Sequence, residues 1–339
     1  MSVTTKAILP ALTYILIFLR PLCTVCNAPS VPELMFVLLV LLPAAFVYKK
    51  FLNSFSVLAL VAVLSLHAQW GILQFAVQQD FNLYLLGESP LSSRLPGIAK
   101  FSLGSEKVLR GYGPYSHANV FGGAMLVGLI LVNTLPRNRS TFLIGSFFLL
   151  ALLLSFSRTA YAGYILYVLL GAFRSHRSYF KKLLIPVLIC IVVAPLVWLR
   201  GTDTASRAFS ERWHGYAWSF AIMQQQSLVR GASFGNYKDI VKHYLEQNNV
   251  PHEMWEIAPV HSVPLLLAIE VGIIPTIILI LLFITGIGLT NITILFALVP
   301  PLLFDHYFVT ELSSLFLLVV LYTASHGGGI SSKHHADIA

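Results

Sequence analysis

Residues 273–304 of this chain carry no charged side chain. One helix over that range would be about 48 Å long at about 1.5 Å per residue, well beyond a hydrocarbon core of about 30 Å. The stretch therefore reads as two spans, divided near Gly286-Ile-Gly-Leu-Thr-Asn291. Similar stretches recur at roughly 8–27, 34–48, 53–77, 117–135, 141–156, 159–173, 183–199, 262–284, 290–304 and 312–325, and Arg20 and Glu270 are the only charges inside them. Only 11% of the residues are charged, against about a quarter in a soluble domain, and the mean hydropathy is +0.78. A soluble enzyme, a disordered chain and a disulfide scaffold are excluded on these grounds. The expected fold is an all-α polytopic membrane protein, a single transmembrane domain over 1–339 with about ten helices.

Two long hydrophilic segments interrupt the spans, one over 80–116 and a larger one over 200–261. The span count puts both on one side. Lys6, Lys49, Lys50, Arg137, Arg139, Arg174, Arg177, Lys181, Lys182 and Lys333 lie in the tails and short loops of the opposite face, where the other face has only Arg158. Cations concentrate on the cytoplasmic side of short loops. Both long segments are thus expected to be extracytoplasmic and both termini cytoplasmic. Ile8–Leu19 is expected to begin a retained first span, because no small-residue cleavage site follows the short polar start. The net charge of +8 reads as inner-leaflet anchoring, with no nucleic-acid partner expected. Cys23 and Cys26 form a lone C-x-x-C without the second pair of a structural zinc site, and no resident metal is expected.

The unusual residues gather in the outer segments. Arg200, Arg207 and Arg212 punctuate an aromatic-rich run ending in Trp213-His214. A guanidinium fork matches phosphate oxygens, whereas the plain reading is a solvated loop with snorkelling arginines. Arg158 sits between two apolar stretches in Ser155-Phe-Ser-Arg158-Thr, so it faces either a cavity or the interface. His261 opens a span, and imidazole suits proton abstraction near neutral pH, although many interfacial histidines are inert. Glu270 follows nine residues later, about 13 Å along a regular helix, too far for contact; it is expected to face the bundle interior and pair with a cation or hydroxyl. Arg110-Gly-Tyr112-Gly-Pro-Tyr-Ser-His117-Ala-Asn119 makes a tight entry into the fourth span, and helix capping alone would account for Asn119. Asp305-His306 forms an outer turn that could orient a base or bind a metal.

Several patterns point elsewhere or nowhere. Gly231-Ala-Ser233-Phe-Gly235 fits G-x-S-x-G formally but lacks the strand-to-helix context a nucleophile elbow needs. Gly286-Ile-Gly288 lacks the third glycine of a dinucleotide loop, and the chain contains no Gly-Lys dipeptide, Asp-x-Asp or H-E-x-x-H. His334-His335 falls in a polar tail.

Taken in order, these pieces resemble motifs of the O-antigen ligase and O-antigen polymerase superfamily of bacterial membrane glycosyltransferases. Arg110-Gly-Tyr-Gly-Pro-Tyr-Ser-His-Ala-Asn119 is similar to its Arg-x-x-Gly…His-Pro-Asn entry, with Ala118 in place of proline. Ser157-Arg158 resembles its Ser-Arg pair. Arg212-Trp213 followed by Gly231 to Gly235 resembles the Arg-Trp and Gly-x-Gly elements of its large loop, at wider spacing. His261-Ser262-x-x-Leu265…Glu270-Val-Gly272 resembles His-Asn-x-x-Leu…Glu-x-Gly, with serine for asparagine, and Phe304-Asp305-His306-Tyr307 an Asp-His-Tyr turn of some members. The likeness covers about 105–325. It implies a GT-C-like fold in the bacterial inner membrane and a polyprenyl-diphosphate-linked glycan as donor. The acceptor is a sugar hydroxyl on a lipid core or another glycan, in company with envelope polysaccharide assembly partners and membrane lipid. It implies inversion without cofactor or metal, His261 as general base, and Arg158 and Arg212 on the diphosphate. Arg207, Arg110, Tyr112, Asn119, Glu270, Asp305 and His306 are supporting or substrate-binding candidates. Two other classes stay open: a transporter or flippase for a lipid-linked anionic glycan, which needs paired broken helices and midplane charges, and a non-enzymatic envelope scaffold.

Overall fold

The computed structural model describes residues 54–103, 106–136, 138–174, 205–225, 231–232, 235–252, 257–284 and 292–311, together with Leu228 and Leu321. The expected spans at 8–27, 34–48 and 183–199 lie outside these residues, as does 312–325 apart from Leu321, and as do Arg20, Cys23, Cys26, Cys190, Ser233, the division at 286–291 and His334-His335.

The fold is mostly helical. Its long elements are α1 (Ser54–Val77), α2 (Ala118–Val132), α3 (Arg139–Ser155), α4 (Arg158–Arg174), α5 (Ala205–Gln225), α6 (Tyr237–Gln247), α7 (Val263–Val271), α8 (Ile273–Phe283), α9 (Ile292–Phe304) and the short α10 (Tyr307–Thr310). Val57–Val77 is long and apolar enough to cross a membrane by length and composition, and Ala118–Val132, Arg139–Ser155, Ile273–Phe283 and Ile292–Phe304 are shorter apolar helices. Every residue of α2 is buried, which makes it the central post of the bundle. It packs against α1, α3 and α4, and α4 in turn lies along α9. Helices apolar on all sides, such as α2, are stable only when neighbours or lipid cover them. Close approach needs small residues. A Cβ on Gly122 would sit 2.6 Å from Ser157 Cβ, and one on Gly163 would collide with the Ala297 carbonyl of α9.

Two departures from the sequence reading position the site. First, the outer segment 80–116 contains a β-hairpin, so the fold is not purely helical. Strands β1 (Lys100–Leu103) and β2 (Glu106–Leu109) pair antiparallel, with Lys100 opposite Leu109. Glu88 anchors the start of this segment by accepting from Trp70 Nε1 at 2.9 Å, Gln74 Nε2 at 2.7 Å and the backbone N–H of Leu83 at 2.7 Å. At the hairpin's exit, Gly111 N–H donates to the Leu154 carbonyl, and Phe101 stacks on Phe156 with ring centroids 4.2 Å apart.

Second, the span expected over 262–284 is broken. Gly272 adopts φ 105 between α7 and α8, a conformation that suits glycine. Pro275, in the first turn of α8, cannot donate a bond back across the break. The apolar pattern runs straight through, which is why composition alone reads one helix. Loop backbone fills the gap: Ala232 N–H donates to the Ile269 carbonyl at 3.0 Å, and Ile274 N–H donates to the Leu228 carbonyl at 2.9 Å. The large segment 200–261 is thus not a free loop. Its helices α5 and α6 pack on α7.

Candidate functional site

The site forms where the ends of α2, α3, α4, α7 and α9 meet. Ser155 ends α3, Phe156 turns the chain through the left-handed region at φ 49, and Arg158 begins α4 one residue after Ser157. A bulky residue at positive φ is a strained turn that its surroundings must hold. Here the Phe101 ring and the Gly111 contact hold it. The turn presents Arg158, half-buried, at the mouth of the bundle.

Behind the turn runs a buried polar chain. Arg110, only 1% exposed, donates from Nε to the Ser155 carbonyl and from Nη2 to Asn119 Oδ1, both at 2.6 Å. Asn119 Nδ2 then donates to Asp305 Oδ2 at 2.9 Å. Thr159 Oγ1 lies 3.5 Å from the same oxygen. The other oxygen, Oδ1, faces His261 Nδ1 at 3.5 Å. That distance is long for a hydrogen bond, and His261 Nδ1 is buried with no hydrogen-bond partner among the described residues. His261 itself is 29% exposed by its side chain, so the ring links a buried carboxylate to the mouth. Tyr216 of α5 fixes its backbone by donating to the His261 carbonyl at 2.7 Å.

Charge is organised about Asp305. Burial works to raise its pKa, but the adjoining His261, with His306 and Arg212, outweighs burial and holds the carboxyl down at about 2. Burial pushes His306 down to about 4, with Asp305 pulling the other way, so the ring is neutral at neutral pH. Burial also lowers Arg110 to about 10, which leaves its guanidinium charged. Burial and then the positive charge of Arg212 lower Arg158. Arg212 therefore acts on Arg158, Asp305 and His306 together and belongs to the same rim. Neither Arg158 nor Arg212 forms an ion pair or hydrogen bond with its side chain among the described residues. Two guanidinium groups near one another repel, and an anion between them relieves that repulsion.

The sequence candidates thus divide. Arg158, Arg212, His261, Asp305 and His306 come together. Arg110 and Tyr112 are buried, and Tyr112 accepts from the Ala99 N–H, so both support the scaffold and neither faces the mouth. Capping does not account for Asn119. His117 is the cap of α2, its ring accepting from Asn119 N–H at 3.0 Å, while the Asn119 side chain bridges Arg110 and Asp305. Glu270 is buried, and among the described residues its side chain is held by backbone N–H groups and pairs with neither a cation nor a hydroxyl. Its Oε1 accepts from the Tyr237 N–H at 3.2 Å, which ties α6 to the helix break. Arg207 lies in the first turn of α5. Asp305 and His306 are neighbours in sequence, yet the working partner of Asp305 is His261, and His306 turns to Thr310, with its Nδ1 2.8 Å from that hydroxyl. Tyr216, Thr159 and Thr310 were not foreseen, because hydroxyls inside apolar or mixed helices leave no pattern in the sequence.

Compared with family models, curated proteins and solved structures, the chain gives no match.

Proposed function

We propose that this chain is a polytopic glycosyltransferase of the bacterial inner membrane, of the O-antigen ligase or polymerase type. It moves a glycan from a polyprenyl diphosphate donor to a sugar hydroxyl, at the extracytoplasmic surface. The observation that carries the reading is the pairing of two arginines without a side-chain partner among the described residues, Arg158 and Arg212, with a half-open histidine backed by a buried carboxylate. Arg158 and Arg212 bind the donor's diphosphate, and their forks stabilise the charge that develops as it leaves. With Nδ1–H directed at Asp305, His261 keeps the lone pair of Nε2 for the acceptor. That nitrogen takes the hydroxyl proton while the oxygen bonds to the anomeric carbon. The bond from that carbon to the diphosphate oxygen breaks, and the diphosphate departs with the electron pair. Attack opposite the leaving group inverts the anomeric centre.

The remaining residues support this geometry. Asn119 and Arg110 brace the far side of Asp305, and Asp305 in turn braces the imidazole. The helix break at Gly272 is the one observation favouring the second reading, a transporter or flippase, since such proteins use discontinuous helices. At that break Ile269, Ile274 and Glu270 are tied by hydrogen bonds to Ala232, Leu228 and Tyr237, which favours a structural role for it.

Reconstitution of the purified protein with a polyprenyl-diphosphate glycan and candidate acceptors tests the reading. Glycan ladders mean a polymerase, and a single transfer to a lipid core means a ligase. His261→Ala is expected to abolish transfer while the protein still binds donor. Full activity in that variant removes the base, and donor crossing the bilayer without transfer selects the flippase.

A further inference from the structure

The group His261, Asp305 and His306 holds three ligand atoms within 4.8 Å of one another. The details suit a shared metal as well as the internal contact of the metal-free state. His261 Nδ1 and Asp305 Oδ1 stand 3.5 Å apart, and that nitrogen is buried with no hydrogen-bond partner among the described residues. Zinc–ligand bonds of about 2.1 Å in a tetrahedron put neighbouring ligand atoms about 3.4 Å apart. The separation is therefore that of two ligands sharing an ion.

His306 is oriented as ligating histidines are. The Thr310 hydroxyl has one hydrogen, and it points to the His306 carbonyl at 3.2 Å. His306 Nδ1 lies 2.8 Å from the same oxygen, and in the tautomer with the proton on Nδ1 it donates there. That tautomer leaves His306 Nε2 with a free lone pair. A hydrogen bond from the non-ligating nitrogen is the usual outer support of a metal-bound imidazole. The His261 and His306 ring centroids are 5.0 Å apart. Asn119 steadies the carboxylate through its other oxygen.

We propose that His261, Asp305 and His306 form a three-ligand site for a divalent transition metal such as zinc, and that the bound ion silences His261 as a base. A metal on Nδ1 forces the imidazole proton onto Nε2. The lone pair that would take the acceptor's proton is then gone, and the ion also claims the Asp305 carboxylate. Three protein ligands leave a fourth position for water. The silencing half rests on the glycosyltransferase reading above, but the binding half does not. The site is not needed for transfer, so it adds regulation and supplies no chemistry to the reaction.

Binding is measured first, on chelator-stripped full-length protein in detergent. Calorimetry with zinc, and the visible absorption of cobalt as a spectroscopic probe, should both report one tight equivalent. His306→Gln should weaken that binding by about tenfold or more, and Thr310→Val by about tenfold, because the ring loses its outer support. Wild-type protein with no such equivalent overturns the site. So does binding that persists unchanged in His306→Gln, which would place the ion elsewhere, for example on Cys23 and Cys26. Zinc should then suppress glycan transfer in the wild type, and a chelator should restore it. Tight binding that leaves transfer unaffected upholds the site and overturns the silencing.

Discussion

Asn119→Ala tests whether the buried chain from Arg110 to Asp305 organises the site. The side chain of Asn119 makes two hydrogen bonds, one from the Arg110 guanidinium at 2.6 Å and one to the Asp305 carboxylate at 2.9 Å. Both partners are charged and almost fully buried. A hydrogen bond to a charged group contributes about 1.5–3 kcal/mol, and removing one partner leaves the desolvation cost behind. Two such bonds put the loss at about 3–6 kcal/mol. Water entering the space left by the amide would recover part of it, so the expected loss is near the low end, about 3 kcal/mol. Asn133→Ala is the control, because among the described residues the exposed Asn133 side chain donates to the Leu129 carbonyl alone, with about 1 kcal/mol at stake. The assay is SDS titration in mixed micelles, followed by tryptophan fluorescence. A double-mutant cycle with Asp305→Ala should show coupling of about 1–2 kcal/mol, since the two changes break one shared bond. If Asn119→Ala costs no more than Asn133→Ala, the chain does not brace Asp305, and the account of how His261 is oriented fails with it.

Three further predictions concern the rim, the loop and the orientation. Arg158→Lys should lower transfer by about 100-fold, because one ammonium replaces a planar fork at the diphosphate; radiolabelled glycan transfer measures it, and unchanged turnover removes Arg158 from the site. A Cβ on Gly231 would collide with the Glu270 carbonyl and sit 2.5 Å from Val271 N, both backbone atoms. Gly231→Ala should therefore lift the loop from the helix break and speed amide exchange across α6, whereas unaltered exchange would mean that the loop is not held there. A cysteine placed at Arg230 should react with an impermeant maleimide in intact spheroplasts and one at His176 should not; the reverse pattern inverts the proposed orientation.

Much of the helical framework was legible, because lipid-facing and fully buried helices leave the same mark, a run without charge. Ser54–Val77, Ala118–Val132 and Ile292–Phe304 fall within a few residues of the stretches read from composition. The break at Gly272 was not legible. Hydropathy is continuous across Ile269 to Thr276, and what makes the break tolerable is backbone supplied by Leu228 and Ala232, roughly forty residues away. The hairpin in the outer segment was hidden for a related reason. Four-residue strands give too little alternation to rise above a polar loop.

The site divides along the same line. Residue type pointed to Arg158, Arg212 and His261, since a fork of donors and a titratable ring are chemically conspicuous wherever they fall. Residue role did not follow from type. Asn119 sits where a capping residue is expected, yet its side chain answers to Asp305, which is 186 positions on. Asp305 stands next to His306 in the chain, but a turn at the end of α9 sends the two side chains to different partners, His261 and Thr310. Adjacency in sequence was the misleading cue in both cases, because neighbouring residues on a turn or helix start diverge in direction. A buried polar group must instead find its partner wherever the fold brings one. In a chain this poor in charge, the few buried polar residues have few possible partners, so the bundle is forced to bring them together. That requirement links the fold to the site: the same scarcity that marks the helices draws Arg110, Asn119, Asp305 and His261 into one chain.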